Sequence, residues 1–136
     1  MRVIVAEDEA LLAMDLCDVL CEAGHQVVCE DPSAAEALRC ARRFGADLAL
    51  VNIGLLEGAT AGLDLARQLL AELSIPSIFV SGQRADARRA SDVAIGFLPK
   101  PYTRADLLGA IAVAETVLGG SRPPPPPIPR TLELFH

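Results

Sequence analysis

An α/β fold built on a doubly wound parallel sheet is what this sequence predicts, and three observations carry the prediction. Short apolar runs alternate five times with longer segments whose apolar residues recur at helical spacing. The central run, Leu48-Ala49-Leu50-Val51, is apolar on both faces, as a parallel strand covered by helices on each side must be. Glycine or proline punctuates the junctions, and the strand–helix alternation they separate argues for right-handed crossovers.

The elements follow in order. Val3 to Ala6 is a β-rich run bounded by acids, and Leu12, Leu16, Val19, Leu20 and Ala23 then mark one face of a helix that Gly24 stops. Gln26 to Cys29 reads as a second strand. Ser33-Ala34-Ala35-Glu36 is a capping box, opening a helix towards Phe44 that Gly45 ends. After the third strand, Leu48 to Val51, a loop holding Gly54, Gly58 and Gly62 leads to a helix over Leu63 to Leu73. Ile75-Pro76 breaks the chain before a fourth strand, Ser77 to Ser81, with Gly82 at its exit and a polar helix over Ala85 to Val93 beyond. Gly96-Phe97-Leu98 is a fifth strand, ended by Pro99-Lys100-Pro101 because two prolines remove ladder donors. Thr103 and Asp106 cap a last helix through Leu118.

This divides the chain into one domain, residues 1–118, and a Gly/Pro-rich tail, 119–136. Pro123 to Pro127 and Pro129 predict a polyproline II spacer of roughly 20 Å, at about 3 Å per residue. Thr131 to His136 read as a disordered end, or alternatively as a Leu-Glu-Leu-Phe plug for an apolar groove.

Composition narrows the function. Twelve Lys+Arg against eighteen Asp+Glu give a net charge of −6, a field that repels nucleic acid and anionic membrane. The amino-terminal apolar run meets acids at Glu7, so it is neither a signal peptide nor a span, and a cytoplasmic protein is expected. Cys17, Cys21, Cys29 and Cys40 are then expected as reduced thiols used as small apolar residues. Cys17, Cys21 and His25 repeat every four residues, but Gly24 interrupts the helix that would align them on a metal.

In an open parallel sheet the ligand crevice lies beyond the carboxyl ends of the strands. The residues there are Glu7 and Asp8 after the first strand, Asn52 after the third, Ser81 after the fourth and Lys100 after the fifth. Two acids, an amide, a hydroxyl and an ammonium thus converge on one small volume.

Glu7-Asp8, the Leu48-to-Asn52 strand, the Phe79-Val80-Ser81-Gly82 exit and Phe97-Leu98-Pro99-Lys100-Pro101-Tyr102 together resemble bacterial response-regulator receiver domains. The resemblance covers residues 2 to about 118. It implies a five-stranded flavodoxin-like sheet of order 2-1-3-4-5 with helices on both faces, and a role in two-component phosphorelay signalling through protein–protein binding. Glu7, Asp8 and the main-chain carbonyl of Gly54 would hold Mg²⁺. Lys100 and Ser81 would form the phosphoryl pocket, with Pro101 a candidate cis peptide. Ser81 and Phe97 would act as the switch that changes the surface of the fourth helix, fifth strand and fifth helix. The expected partners are a sensor histidine kinase, a phosphotransfer protein or a downstream regulator. The Leu50-Val51-Asn52-Ile53 and Ile78-to-Gly82 signatures resemble stand-alone receivers that work with soluble-type sensor kinases.

One residue departs from the family pattern. The phospho-acceptor aspartate is replaced by Asn52, whose carboxamide is neutral and lacks a nucleophilic lone pair, so no phosphorylation is expected there. Three acids and a lysine sum to −2, which a magnesium ion balances; with Asn52 the sum is −1, and Mg²⁺ binding should be weak or absent. The change is either a natural degenerate receiver or a deliberate Asp→Asn form. The competing readings are a small Mg²⁺-dependent phosphohydrolase using Asp8, and a structural dimerisation module that uses the last helices or tail.

Overall fold

Alternation along the strands builds two separate cores. In the computed structural model, which describes residues 1–119 and 132–135, Ile4, Ala6, Ala49, Val51, Phe79 and Phe97 face one layer of helices. Val3, Val5, Leu48, Leu50, Ile78, Val80 and Leu98 face the other. Successive strand side chains point to opposite faces, so a run apolar at every position is what two covered faces require.

The elements are β1 (Arg2–Ala6), α1 (Ala10–Glu22), β2 (Gln26–Asp31), α2 (Ala34–Phe44), β3 (Leu48–Val51), α3 (Ala61–Leu73), β4 (Ser77–Ser81), α4 (Arg84–Arg89), β5 (Ala94–Pro99), α5 (Arg104–Gly119) and β6 (Glu133–Leu134). The sheet order is β2-β1-β3-β4-β5-β6. The first five strands run parallel in the expected 2-1-3-4-5 order, and β6 joins the β5 edge antiparallel. The five-strand expectation therefore gains a sixth strand from the last residues, with Gly96 opposite Leu134 and Phe97 opposite Glu133. That segment alternates apolar and acidic residues, a strand pattern too short to stand out from a polar end in sequence alone. The polyproline spacer expected over Pro123 to Pro129 lies outside the described residues.

Helix ends follow local chemistry with one addition. Ser33 caps α2 by accepting from the Glu36 N–H at 3.3 Å. The distant Glu57 completes that cap, accepting from the Ala34 and Ala35 N–H groups at 2.8 and 2.9 Å and from the Ser33 hydroxyl at 2.6 Å. These three bonds, the one from Ala35 foremost and the Ser33 hydroxyl next, pull the Glu57 carboxyl down to about 2. Helix α1 ends at Glu22 and is capped by Ala23, and the Gly24 that follows has a φ of 91°, in the left-handed region. Helix α4 stops at Arg89, four residues before the expected Val93, because Ala94 already pairs with Ser77 in the sheet.

One expectation is overturned. Cys29 of β2 and Cys40 of α2 are joined in a disulfide rather than left as reduced thiols. Both side chains leave their elements towards the same layer, and a sequence separation of eleven carries no hint of that meeting. Cys17 and Cys21 remain free. His25 lies away from them, its Nδ1 2.9 Å from the amino terminus and its Nε2 3.7 Å from Glu115.

Candidate functional site

The strand ladders continue past the strand ends and fix the backbone of the site residues. Glu7 donates its N–H to the Asp31 carbonyl (3.1 Å), Asn52 to Ala6 (2.8 Å) and Lys100 to Ser81 (3.0 Å). Each functional side chain is therefore set by the sheet register rather than by a free loop.

Four of the expected residues form one bonded cluster. The Asn52 Nδ2 donates to Glu7 Oε2 and to Asp8 Oδ1, both at 2.8 Å. Carboxylates facing an amide admit only its N–H₂ end, which fixes the orientation of the Asn52 side chain. Lys100 Nζ lies 2.6 Å from Glu7 Oε1 and 3.3 Å from Glu9 Oε1. Glu7 is 3% exposed and Asn52 8%, so this network is sealed on the protein side. Burial pushes the Glu7 carboxyl above its ordinary range, and the hydrogen bond and charge of Lys100 oppose that shift.

The remaining expected residues make contacts outside that bonded cluster. Ser81 is buried, and its Oγ accepts from the Gln83 N–H at 3.1 Å. Phe97 is 1% exposed and packed in the α2–α3 side core, with the Arg84 guanidinium 6.0 Å from its ring centre. The aromatic side chain is thus already turned inward. Gly54 lies in the loop after β3, where a side chain at its α-carbon would meet Gln83 Oε1 at 3.3 Å. The Lys100–Pro101 peptide is cis.

Glu9 and Glu57 do not stand out in the sequence, and Gly62 reads there only as a loop glycine. Glu9 adds a third carboxylate to Glu7 and Asp8, their ligand oxygens lying within 4.8 Å of one another. Its adjacency to the acidic pair was the available signal. Gly62 lets the start of α3 press against the Asn52 peptide, and its N–H donates to the Ile53 carbonyl at 2.8 Å. Only the fold reveals that approach.

The donor chemistry fits a hard divalent cation. Glu7, Asp8 and Glu9 are the groups that would hold it, and it would supply positive charge to balance them. The Asn52 amide turns protons, not lone pairs, towards that volume, so it must rotate for the acids to be shared with a metal.

A mostly parallel sheet with an acid, amide and lysine cluster at its strand ends defines the class: a flavodoxin-like α/β protein. The family model described as response regulator receiver domain matches residues 3–112, and the chain belongs to that family. Among its relatives, the transcriptional regulatory protein PdtaR of Mycobacterium tuberculosis is 34% identical over 116 residues, 83% of this chain and 56% of that protein. The sensory transduction protein RegX3 of Mycolicibacterium smegmatis is 32% identical over 114 residues, 80% of this chain and 48% of its own length. The chain spans about half the length of these relatives. The signal receiver domain of a modulated diguanylate cyclase from Desulfovibrio desulfuricans G20 superposes with a TM-score of 0.77 at 32% identity, covering 87% of this chain and 95% of that one. The receiver domain of NtrX from Brucella abortus gives 0.75 at 25% identity, covering 88% and 99%. Among the described residues no helix is long and apolar enough to cross a membrane.

Proposed function

We propose that this receiver domain works by docking and carries no phosphoryl group at position 52. The observation that supports it is the Asn52 amide donating to Glu7 and Asp8 at once. A carboxylate there would repel both acids and require a cation; the amide holds them together with none. The amide-bridged arrangement is therefore the resting and the working state. Lys100 and Ser81 are the phosphoryl-pocket groups and the Ser81–Phe97 pair is the switch, with the Gly54 carbonyl a further metal contact, only when an aspartate is restored. Mg²⁺ binds weakly, through Glu7 and Asp8 with Glu9 beside them. The partners are a histidine kinase, a phosphotransfer protein or a downstream regulator in the cytoplasm, met through the surface around this pocket. Catalysis by Asp8 is disfavoured, because its Oδ1 accepts a hydrogen bond from the Asn52 amide that draws electron density from the carboxylate.

The test is incubation with Mg²⁺ and acetyl phosphate, read by intact mass. The chain should stay unmodified and Asn52→Asp should gain a single base-labile, hydroxylamine-sensitive phosphoryl group. A phosphoryl adduct on the unaltered chain, or steady release of phosphate by it, contradicts the reading.

A further inference from the structure

The β5 edge is built as a socket for an extended segment. Leu132 and Leu134 pack into the α1–α5 side core, while Glu133 and Phe135 point to the opposite face. Glu133 meets Arg88 of α4 in a two-pronged contact, with Nε and Nη2 at 3.1 and 2.8 Å from Oε1. The Phe135 N–H donates to the Ile95 carbonyl at 2.8 Å, one step beyond the Gly96–Leu134 pair. Gly96 makes this approach possible, because a Cβ there would lie 2.6 Å from the Glu133 carbonyl oxygen. Backbone pairing, two apolar seats, one ion pair and one glycine together read an apolar–acidic–apolar–aromatic strand.

The described residues on either side of 120–131 lie towards opposite ends of the sheet. Helix α5 ends at Gly119 beside Met1 and Asp47, at the end of the sheet where β1 begins. Because β6 is antiparallel, it starts at the level of Phe97, towards the opposite end. Residues 120–131 connect the two, twelve residues of which six are proline. Twelve residues span at most about 40 Å, a length that permits a seat on a neighbouring molecule as well as on its own sheet. Every contact of Leu132–Phe135 is reproduced when the strand comes from another copy, so exchange requires no new surface.

We propose that the β5 edge is a strand-addition site for the Leu132–Phe135 segment of a second copy of this chain, so that two chains join by reciprocal exchange of β6. This proposal is independent of Asn52. The chain's own tail competes at an effective concentration on the order of 1 mM, so exchange is read most clearly when the internal match is removed. Full-length Arg88→Glu and full-length Glu133→Arg chains each present like charges within one molecule, whereas a mixture of the two offers two matched pairs across molecules. By sedimentation velocity each variant alone should be monomeric, and the equimolar mixture should form a heterodimer with at least about tenfold tighter association than either variant with itself. Adding Leu134→Asp and Phe135→Asp to both chains removes the apolar seats without touching the domain body, and should abolish the heterodimer. A mixture that stays monomeric, a dimer formed by either variant alone, or a heterodimer that survives the tail substitutions overturns the proposal.

Discussion

Replacing Gly62 by alanine sets two effects of opposite sign against each other. Gly62 lies in the first turn of α3, where alanine gains about 1 kcal/mol in helix propensity over glycine. Against this, the new Cβ would overlap the Asn52 carbonyl oxygen and lie 2.8 Å from the Ile53 α-carbon and 2.9 Å from the Asn52 carbonyl carbon. All three are backbone atoms in a fully or nearly fully buried segment, so no side-chain rotation relieves the clash. Either α3 or the peptide after β3 must move by about 1 Å, which at overpacked sites costs about 3 kcal/mol. The net expectation is a loss of about 2 kcal/mol. Urea unfolding should show a lower midpoint at an unchanged slope, and the Asn52 side-chain amide resonances should shift because their carboxylate partners no longer align. A stabilised variant, with helix propensity winning, would refute the claim that α3 is pressed against the Asn52 peptide.

Other consequences follow from the same geometry. Because Glu57 is held down to about 2, its cap on α2 is intact above the ordinary carboxylate range and is lost as pH falls from about 4.5 towards 2. Glu57→Gln should flatten that acid limb, and at neutral pH should cost about 1 kcal/mol or less, since the group is exposed; thermal unfolding across pH reads both. Lys100→Met leaves the Glu7 carboxylate buried without its counter-charge and should cost about 3 kcal/mol at neutral pH. That loss should shrink as pH falls, beginning above the ordinary carboxylate range because burial already raises Glu7 and loss of the ammonium raises it further, and a pH-independent loss would argue against the pair. Burial, with Glu30 next in effect, pushes the Cys17 thiol up to about 12, whereas Cys21 is exposed. Iodoacetamide on the native chain at about pH 8 should therefore label Cys21 well before Cys17, and Cys29 and Cys40 only after reduction.

The fold was legible because period and punctuation agreed. Leu48 to Val51 could be placed as a central strand from four apolar residues in a row, and Ser33 as a cap from the acid three residues on. The site followed from the strand ends, which is why Glu7, Asp8, Asn52 and Lys100 are found bonded to one another. What escaped the sequence were meetings between distant segments. Glu57 reaches the start of α2 across more than twenty residues, and Cys29 finds Cys40 only once β2 and α2 are packed. Likewise Leu132 to Phe135 read as an end because their partner, the β5 edge, is a property of the assembled sheet. Local pattern encodes elements, whereas such pairings depend on where the elements land.

The central claim is that the Asn52 amide does in this pocket what a divalent cation would do, holding Glu7 and Asp8 together. The direct measurement is Mg²⁺ affinity by calorimetry for the chain and for Asn52→Asp. At an effective dielectric of about 20, a unit charge about 4 Å from a divalent ion contributes about 8 kcal/mol before crowding and desolvation are counted, and even a fifth of that exceeds tenfold. The account predicts that Asn52→Asp binds Mg²⁺ at least about tenfold more tightly; equal affinity, or tighter binding by the unaltered chain, would contradict it.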